Sequence, residues 1–290
     1  MMILSSLLFA VMAYYAKMAA LRIPGPEVAL VRFAFGVLVG LLLASGRRIT
    51  LRPVKKRLVI IRGVFGGVAI LLYFWALARG NMTNATILNN TYPIFSTIAA
   101  VFYLQEKLDP LAGFSLLVSW VGVALLIHPD FRHIFWPDLL ALLSGILGGL
   151  AVTAIRELRR NNEAAWTIFF YLSSFGLLVS VFAAVPVWVW PDWQSGIYLL
   201  AAAFFGLIAQ LAMTYSYKYC STAIGGVLSM TTMLFAACVG FIGFGERLSP
   251  GETWGALLIG IGSALVIWLN DRPVRKAGVV SQAQPSGNDK

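Results

Sequence analysis

Asn89, Asn90, Thr91 and Tyr92 follow one another in the middle of an apolar run that extends from about residue 83 to 104. Polar side chains left unsatisfied in hydrocarbon are costly, so these must face other protein or a wet cavity. Thr86, Asn90, Pro93 and Thr97 recur at offsets of four, three and four, which places them on one helical face. Asn89, Tyr92 and Ser96 form the neighbouring stripe. Amides, hydroxyls and a phenol within two turns supply both donors and acceptors to a solute, and the proline that follows leaves a backbone carbonyl free. The same groups also suit hydrogen bonds between membrane helices. Solute contact and helix pairing both stay open for Asn89, Asn90, Thr91 and Tyr92.

A second set of candidates lies in the C-terminal half. Gln210, Thr214, Tyr217 and Ser221 share one face of an apolar run, and Thr222, Gly226, Ser229 and Met233 share one face of the next, with Met230 nearby. That second face is the more apolar, and thioethers adapt to irregular apolar surface, which suits an amphipathic solute. Tyr14, Tyr15, Tyr73, Trp75, Tyr171 and Tyr215 could supply aromatic walls, although Tyr and Trp also populate the interfacial belts of membrane proteins. Arg32 is a basic residue well inside an apolar run. A planar cation there could hold a carboxylate or phosphate, or serve as a structural partner of Glu27 or of backbone carbonyls, or snorkel. Glu106, Glu246 and Lys17 fall at ends of runs. They read as gates or salt-bridge positions, with Lys107 and Arg247 the nearest cations to the two glutamates.

Several chemistries are missing. No Walker sequence is present, which argues against ATP hydrolysis by this chain. Cys220 and Cys238 make neither a disulfide framework nor a zinc spacing. His128, Asp130 and His133 share a Pro-containing loop with Arg132, a weak match to a tetrahedral metal site. Asn81, Asn84 and Asn89 each open an Asn-x-Thr triplet, but at or inside a membrane they are not credible glycosylation acceptors. No pair of catalytic carboxylates and no Ser/His/Asp set can be assembled from the apolar runs. The expectation is a protein that is not an enzyme and needs no cofactor or metal.

The elements that must position these residues follow from composition. Of 290 residues, 59% are hydrophobic and 12% charged, half the charge of an ordinary soluble domain. A formal charge of +10 would hint at nucleic acid in a soluble protein, but here its distribution matters more than its sum, and no nucleic-acid partner is expected. Apolar runs near 2–20, 27–45, 58–78, 83–104, 110–128, 136–155, 164–185, 196–217, 222–244 and 252–269 are each long enough to cross a bilayer. The fold class is therefore all-α integral membrane, with ten transmembrane helices. The first run lacks a basic flank before it and carries Tyr14, Tyr15 and Lys17, so it does not read as a cleaved signal. Residues 271–290 are polar and read as a disordered tail. Alternating the loops puts 15 Lys and Arg on one side and five on the other, with Arg32 and Arg62 within or at the edge of spans. The positive-inside rule then makes both termini cytoplasmic, in a multi-pass plasma (inner) membrane protein.

The chain also repeats. A shift of 140 carries Glu106-Lys107-Leu108 onto Glu246-Arg247-Leu248, Pro110 onto Pro250, Gly66 onto Gly206, Gly122 onto Gly262 and Trp75 onto Tyr215, and a shift of 139 carries Lys17 onto Arg156. The units read as 1–130 and 131–270. Five spans is an odd number, so the second unit enters the membrane from the opposite side, an inverted repeat of the kind found in carriers.

The stretch from Ala76 through Asn84-Ala85-Thr86 and Pro93-Ile94-Phe95 to Glu106-Lys107-Leu108, with its second copy from Tyr215 to Pro250, resembles the EamA repeat of the drug/metabolite transporter superfamily. The resemblance covers nearly the whole chain. It implies a secondary carrier of small organic solutes with a central cavity between halves, and it names no substrate. One departure is Met233 where the first half has Pro93, so a proline distortion is expected in one half only. The reading is an alternating-access transporter of a small amphipathic metabolite, its cavity lined by the first, third, fourth, sixth, eighth and ninth spans. The Asn/Tyr/Trp composition with Arg32 favours amino acids or related compounds. The fifth and tenth spans, apolar and Gly-containing, would be peripheral and could form a homodimer contact. The rival is a membrane-embedded structural or lipid-handling protein that keeps the fold without carrying a soluble solute.

Overall fold

The computed structural model of the chain describes residues 1–79, 82–127, 136–244 and 249–270. The polar tail at 271–290, the loop with His128, Asp130 and His133, and Glu246 lie outside the described residues. Eleven α-helices are found among the described residues: α1 (Met2–Ala20), α2 (Gly25–Ser45), α3 (Lys56–Arg79), α4 (Met82–Asn89), α5 (Tyr92–Tyr103), α6 (Pro110–Ile127), α7 (Trp136–Arg160), α8 (Ala165–Ala184), α9 (Trp193–Ser216), α10 (Thr222–Phe244) and α11 (Pro250–Asn270), with a 3-10 turn at Val185–Val187 after α8. Seven helical segments are each long and apolar enough to cross a membrane among the described residues, and Pro110–Leu125 is a shorter apolar one. The fourth span is not one helix. It is the pair α4 and α5, of 8 and 12 residues, each too short at about 1.5 Å per residue to cross alone. Pro93 in the first turn of α5 has no N–H to continue α4. The matching α10, with Met233, runs unbroken from Thr222 to Phe244.

Successive membrane segments alternate direction, so one end of the bundle collects the start of α1, α3, α6, α8 and α10 and the end of α2, α5, α7, α9 and α11. This is the basic end. Its joints are tied: the Glu163 carboxylate accepts from the Val54 and Lys55 amides at 2.7 and 3.1 Å, and Thr167 Oγ1 donates to Thr50 O at 3.0 Å. At the opposite end Arg22 pairs with Asp192 at 2.7 Å and the buried Glu27 accepts from Val189 N at 3.0 Å.

The two five-span units interleave rather than sit side by side. α1 packs on α9 and α10, while α3 packs on α7 and α7 on α4 and α5; α2 packs on α8 and α6 on α11. Exchanging the halves swaps α1–α9 with α3–α7 and α1–α10 with the contacts of α7 on α4 and α5, and returns α2–α8 and α6–α11 to themselves, as a two-fold repeat requires. The α6–α11 contact shows it at the level of single residues. A Cβ on Gly122 would stand 2.7 Å from Gly255 O and 3.0 Å from the Ile259 side chain. A Cβ on Gly262 would meet Ser119 Oγ, and would stand 2.9 Å from Ser115 O. A shift of 140 carries 115, 119 and 122 onto 255, 259 and 262. These glycines are spent inside the protomer, where α6 and α11 approach closely. The outward faces carry large apolar side chains, among them Phe102, Phe114, Phe182, Leu257 and Trp268, as lipid contact demands.

Candidate solute site

A cavity of about 190 Å³ lies between the halves, bordered by Arg62, Tyr73, Asn89, Tyr92, Gln210 and Met213, with the small or apolar Gly66, Ala69, Ile70, Gly148, Ala151, Val152 and Leu172 completing the wall. It draws on α3, α4 and α5 of the first unit and α7, α8 and α9 of the second.

The broken fourth span positions the polar part of this wall, and α7 makes room for the break. Gly145, Gly149 and Thr153 are spaced four apart on α7, on one helical face. A Cβ at Gly145 would stand 2.6 Å from Thr91 Oγ1 and 2.7 Å from Leu88 O; one at Gly149 would stand 2.8 Å from Ser96 N and 2.9 Å from Tyr92 O. Thr153 Oγ1 donates to Ser96 O at 3.1 Å. Next to this face, Asn89 Nδ2 donates to Ser144 Oγ at 2.7 Å and Ser144 donates on to Ala69 O at 2.7 Å. Asn89 is thus held across α3 and α7 with its side chain at the cavity. Tyr92 donates to Ser229 Oγ at 2.7 Å, and Ser229 donates to Gly226 O at 2.7 Å, a link between the fourth and ninth spans. Tyr73 and Thr86 pair through their hydroxyls at 3.2 Å.

Several residues expected at the site stand elsewhere. Asn90 closes its own helix end, donating from Nδ2 to Thr86 O at 2.8 Å. Thr214 donates to Gln210 O at 2.7 Å and is buried within α9. Met230 packs in an apolar cluster with Ile87, Leu116, Val227 and Ile259. Trp75 is 47% exposed on α3. Tyr215 is also exposed, with the Arg159 guanidinium 5.2 Å from its ring centre. The uncharged polar groups that reach the cavity are therefore Asn89, Tyr92, Tyr73 and Gln210, whose Nε2 is buried without a partner.

Arg32 does not pair with Glu27: the glutamate turns to Val189 N, and five residues along a helix point the two side chains apart. The Arg32 guanidinium lies 5.8 Å from the Phe33 ring centre, and its Nε is 3.1 Å from where a Cβ of Gly206 would be, one turn before Gln210 on α9. The cation that borders the cavity itself is Arg62, 4% exposed. By sequence alone Arg62 lies within or at the edge of a span. The usable signal was an arginine four residues before Gly66, since the missing Cβ of Gly66 is what gives Arg62 Nη1 its space.

The cavity is closed toward the basic end by an apolar floor in which Val152 and Met213, both cavity residues, pack with Met2, Val59, Ile155, Leu158, Ile168 and Tyr217. Below the floor, Glu106 meets Arg156 rather than Lys107. Arg156 Nε donates to Glu106 Oε1 at 2.7 Å, Arg156 Nη1 donates to Tyr217 O at 2.7 Å, and Glu106 Oε2 accepts from Thr222 N at 2.9 Å. Gln105, in the left-handed region with φ 52°, turns the chain after α5 so that Glu106 points inward. Beside this cluster, burial pushes the Cys220 thiol up to about 11. Lys17 is exposed near the end of α1. Among the described residues no three His, Cys, Asp or Glu side chains gather as a metal site.

Membrane-crossing helices in interleaved inverted halves, with a largely apolar cavity between them that a few polar side chains border, define a multi-pass membrane protein. The chain belongs to the EamA-like transporter family, matched at residues 1–128 and again at 135–268. It is similar to the pseudopaline exporter CntI of Pseudomonas aeruginosa, 26% identical over 265 residues that cover 89% of this chain and 91% of the exporter. A riboflavin transporter of Vibrio cholerae is 25% identical over 91% of both chains. An S-adenosylmethionine uptake transporter of Rickettsia bellii is 23% identical over 90% of both. A solved crystal structure shares the fold with a TM-score of 0.78 at 19% identity, covering 92% of this chain and 96% of that one. The protein is a small-molecule transporter.

Proposed function

We propose that the chain is a secondary transporter that moves a small amphipathic organic solute across the inner membrane by alternating access, with both termini in the cytoplasm. The observation that carries this reading is the cavity itself. It is walled by both inverted units, polar where the fourth span breaks, and shut toward the basic end by Tyr217, its apolar neighbours and the Glu106–Arg156 pair. Two units of opposite orientation can exchange conformations, so a seal at one end implies an equivalent seal at the other. The repeat carries Arg156 onto Lys17 and Glu106 onto Glu246, and we assign those two residues to the second gate.

The relatives named above carry organic molecules and include one uptake system and one exporter, which supports an organic solute without favouring a direction. A cavity of about 190 Å³ is smaller than the about 300–1,000 Å³ of drug-sized sites, so solutes of amino-acid size are favoured. Counterflow in sealed proteoliposomes tests the proposal. A carrier exchanges labelled for unlabelled solute without ATP; no exchange across a broad panel of metabolites would leave a structural or lipid-handling role instead.

A further inference from the structure

The cavity holds a cation that no described residue neutralises. Arg62 makes no hydrogen bond or ion pair among the described residues, and its Nε is buried without a partner. The buried carboxylates whose contacts are defined are engaged at the ends of the bundle, Glu27 with Val189 N and Glu163 with the amides of Val54 and Lys55. Arg62 sits seven positions into α3, with its Nη1 packed against Gly66 beside the cavity. A buried unpaired charge is strongly unfavourable and persists where a ligand supplies the counter-charge. Two further features have the same sign. The N-terminal end of α5 borders the cavity at Tyr92, and a helix start carries partial positive charge. Arg32 lies within electrostatic reach of Arg62, also without an acidic partner among the described residues.

Resting on the transporter reading, we infer that Arg62 is the anion-binding residue of the cavity and that the solute is an organic carboxylate. One guanidinium presents a fork of N–H donors that fits a carboxylate. A phosphate monoester, with a charge of about −1.5 to −2, carries more charge than the single guanidinium that borders the cavity, Arg32 lying outside the lining. Asn89, Gln210 and the phenols of Tyr73 and Tyr92 are left for neutral polar groups of the solute, and Met213, Val152 and Leu172 for its apolar body.

The test uses purified full-length protein and three probes of similar body: 3-phenylpropionate, phenyl phosphate and phenethylamine. The carboxylate should raise Tm saturably, with the amine giving no shift and the phosphate ester a smaller one. Arg62→Gln removes an uncompensated charge, so it should raise the Tm of the empty protein while abolishing the carboxylate shift; Arg62→Lys, which keeps the charge without the fork, should weaken binding at least tenfold. A fall of several degrees in the empty Arg62→Gln protein would make the side chain structural and overturn the inference. So would a carboxylate shift that survives Arg62→Gln, protection by the amine equal to that of the acid, or no protection of the wild type by the acid. Stronger protection by phenyl phosphate would replace carboxylate with phosphate as the ligand class. Counterflow of 3-phenylpropionate separates the two readings: binding without exchange sinks the carrier and spares Arg62, whereas exchange retained in Arg62→Gln does the reverse.

Discussion

Arg156 on α7 and Glu106 after α5 meet at 2.7 Å with side chains only 16% and 13% exposed, and they join three chain segments, because Arg156 also binds Tyr217 O and Glu106 also binds Thr222 N. A pair this enclosed is poor evidence of net stabilisation, but deleting one partner strands the other charge and costs about 3 kcal/mol or more. Glu106→Gln should therefore lower Tm and loosen the basic end. The double exchange Glu106→Arg with Arg156→Glu should recover part of the loss. Thermal unfolding of the single and exchanged variants checks this, and equal Tm for Glu106→Gln and wild type would show that the pair does not hold the floor shut.

Cys220 offers a direct readout of that seal. It lies between α9 and α10, half-buried beside the floor, with Sγ 3.3 Å from Ser216 O and its thiol pushed up to about 11 by burial. At pH 7.5 about one thiol in three thousand is ionised, against about one in ten for an ordinary cysteine. In a Cys238→Ser background, labelling by a charged maleimide should be slow and should speed up about tenfold with each pH unit. Glu106→Gln should raise the rate at constant pH by opening the floor. A rate equal to that of an exposed cysteine at pH 7.5 would contradict the closed geometry.

The glycine face of α7 gives a steric prediction. A methyl group on Gly149 would press on Ser96 N and Tyr92 O, both backbone, so Gly149→Ala should destabilise by about 1–3 kcal/mol. Gly260 on α11 has no atom within 4 Å of an added Cβ. Gly260→Ala should be neutral or stabilise by up to about 1 kcal/mol through helix propensity. Comparing the two Tm values removes the general effect of glycine replacement.

Much of this architecture was legible in the chain. Apolar runs bounded by charge and proline predicted α1 at 2–20 and α10 at 222–244 to the residue, because a bilayer leaves little choice of element. Pro93 against Met233 predicted which fourth span would distort. What stayed hidden depends on contacts between distant segments. Glu106 has Lys107 beside it in sequence, yet its partner is Arg156, 50 residues on, and only the packing of α7 on α5 makes that pairing. Arg32 stood out because it is deep in an apolar run, whereas Arg62 looked peripheral. Its burial comes from Gly63, Gly66 and Gly67, which let α8 close over α3, and a glycine stripe does not announce what will pack on it.

Asn89 and Asn90 show the same limit within two adjacent residues and give a last prediction. Helical phase placed Asn90 with Thr86 and Pro93, but the phase argument assumes a continuous helix, and the helix stops at Asn89. Asn90 turns back to accept no solute role in this geometry: its amide donates to Thr86 O at 2.8 Å and caps α4. Asn89, one step earlier, reaches Ser144 and the cavity. Asn90→Ala should thus cost about 1 kcal/mol of stability and leave the KM of exchange near the wild-type value. Asn89→Ala should raise KM severalfold, whether or not it lowers Tm, because the wall of the cavity loses an amide. Measuring Tm and exchange kinetics on both variants decides the matter: a KM defect in Asn90→Ala with none in Asn89→Ala would mean that the transporting state rebuilds the break and presents the other amide to the solute.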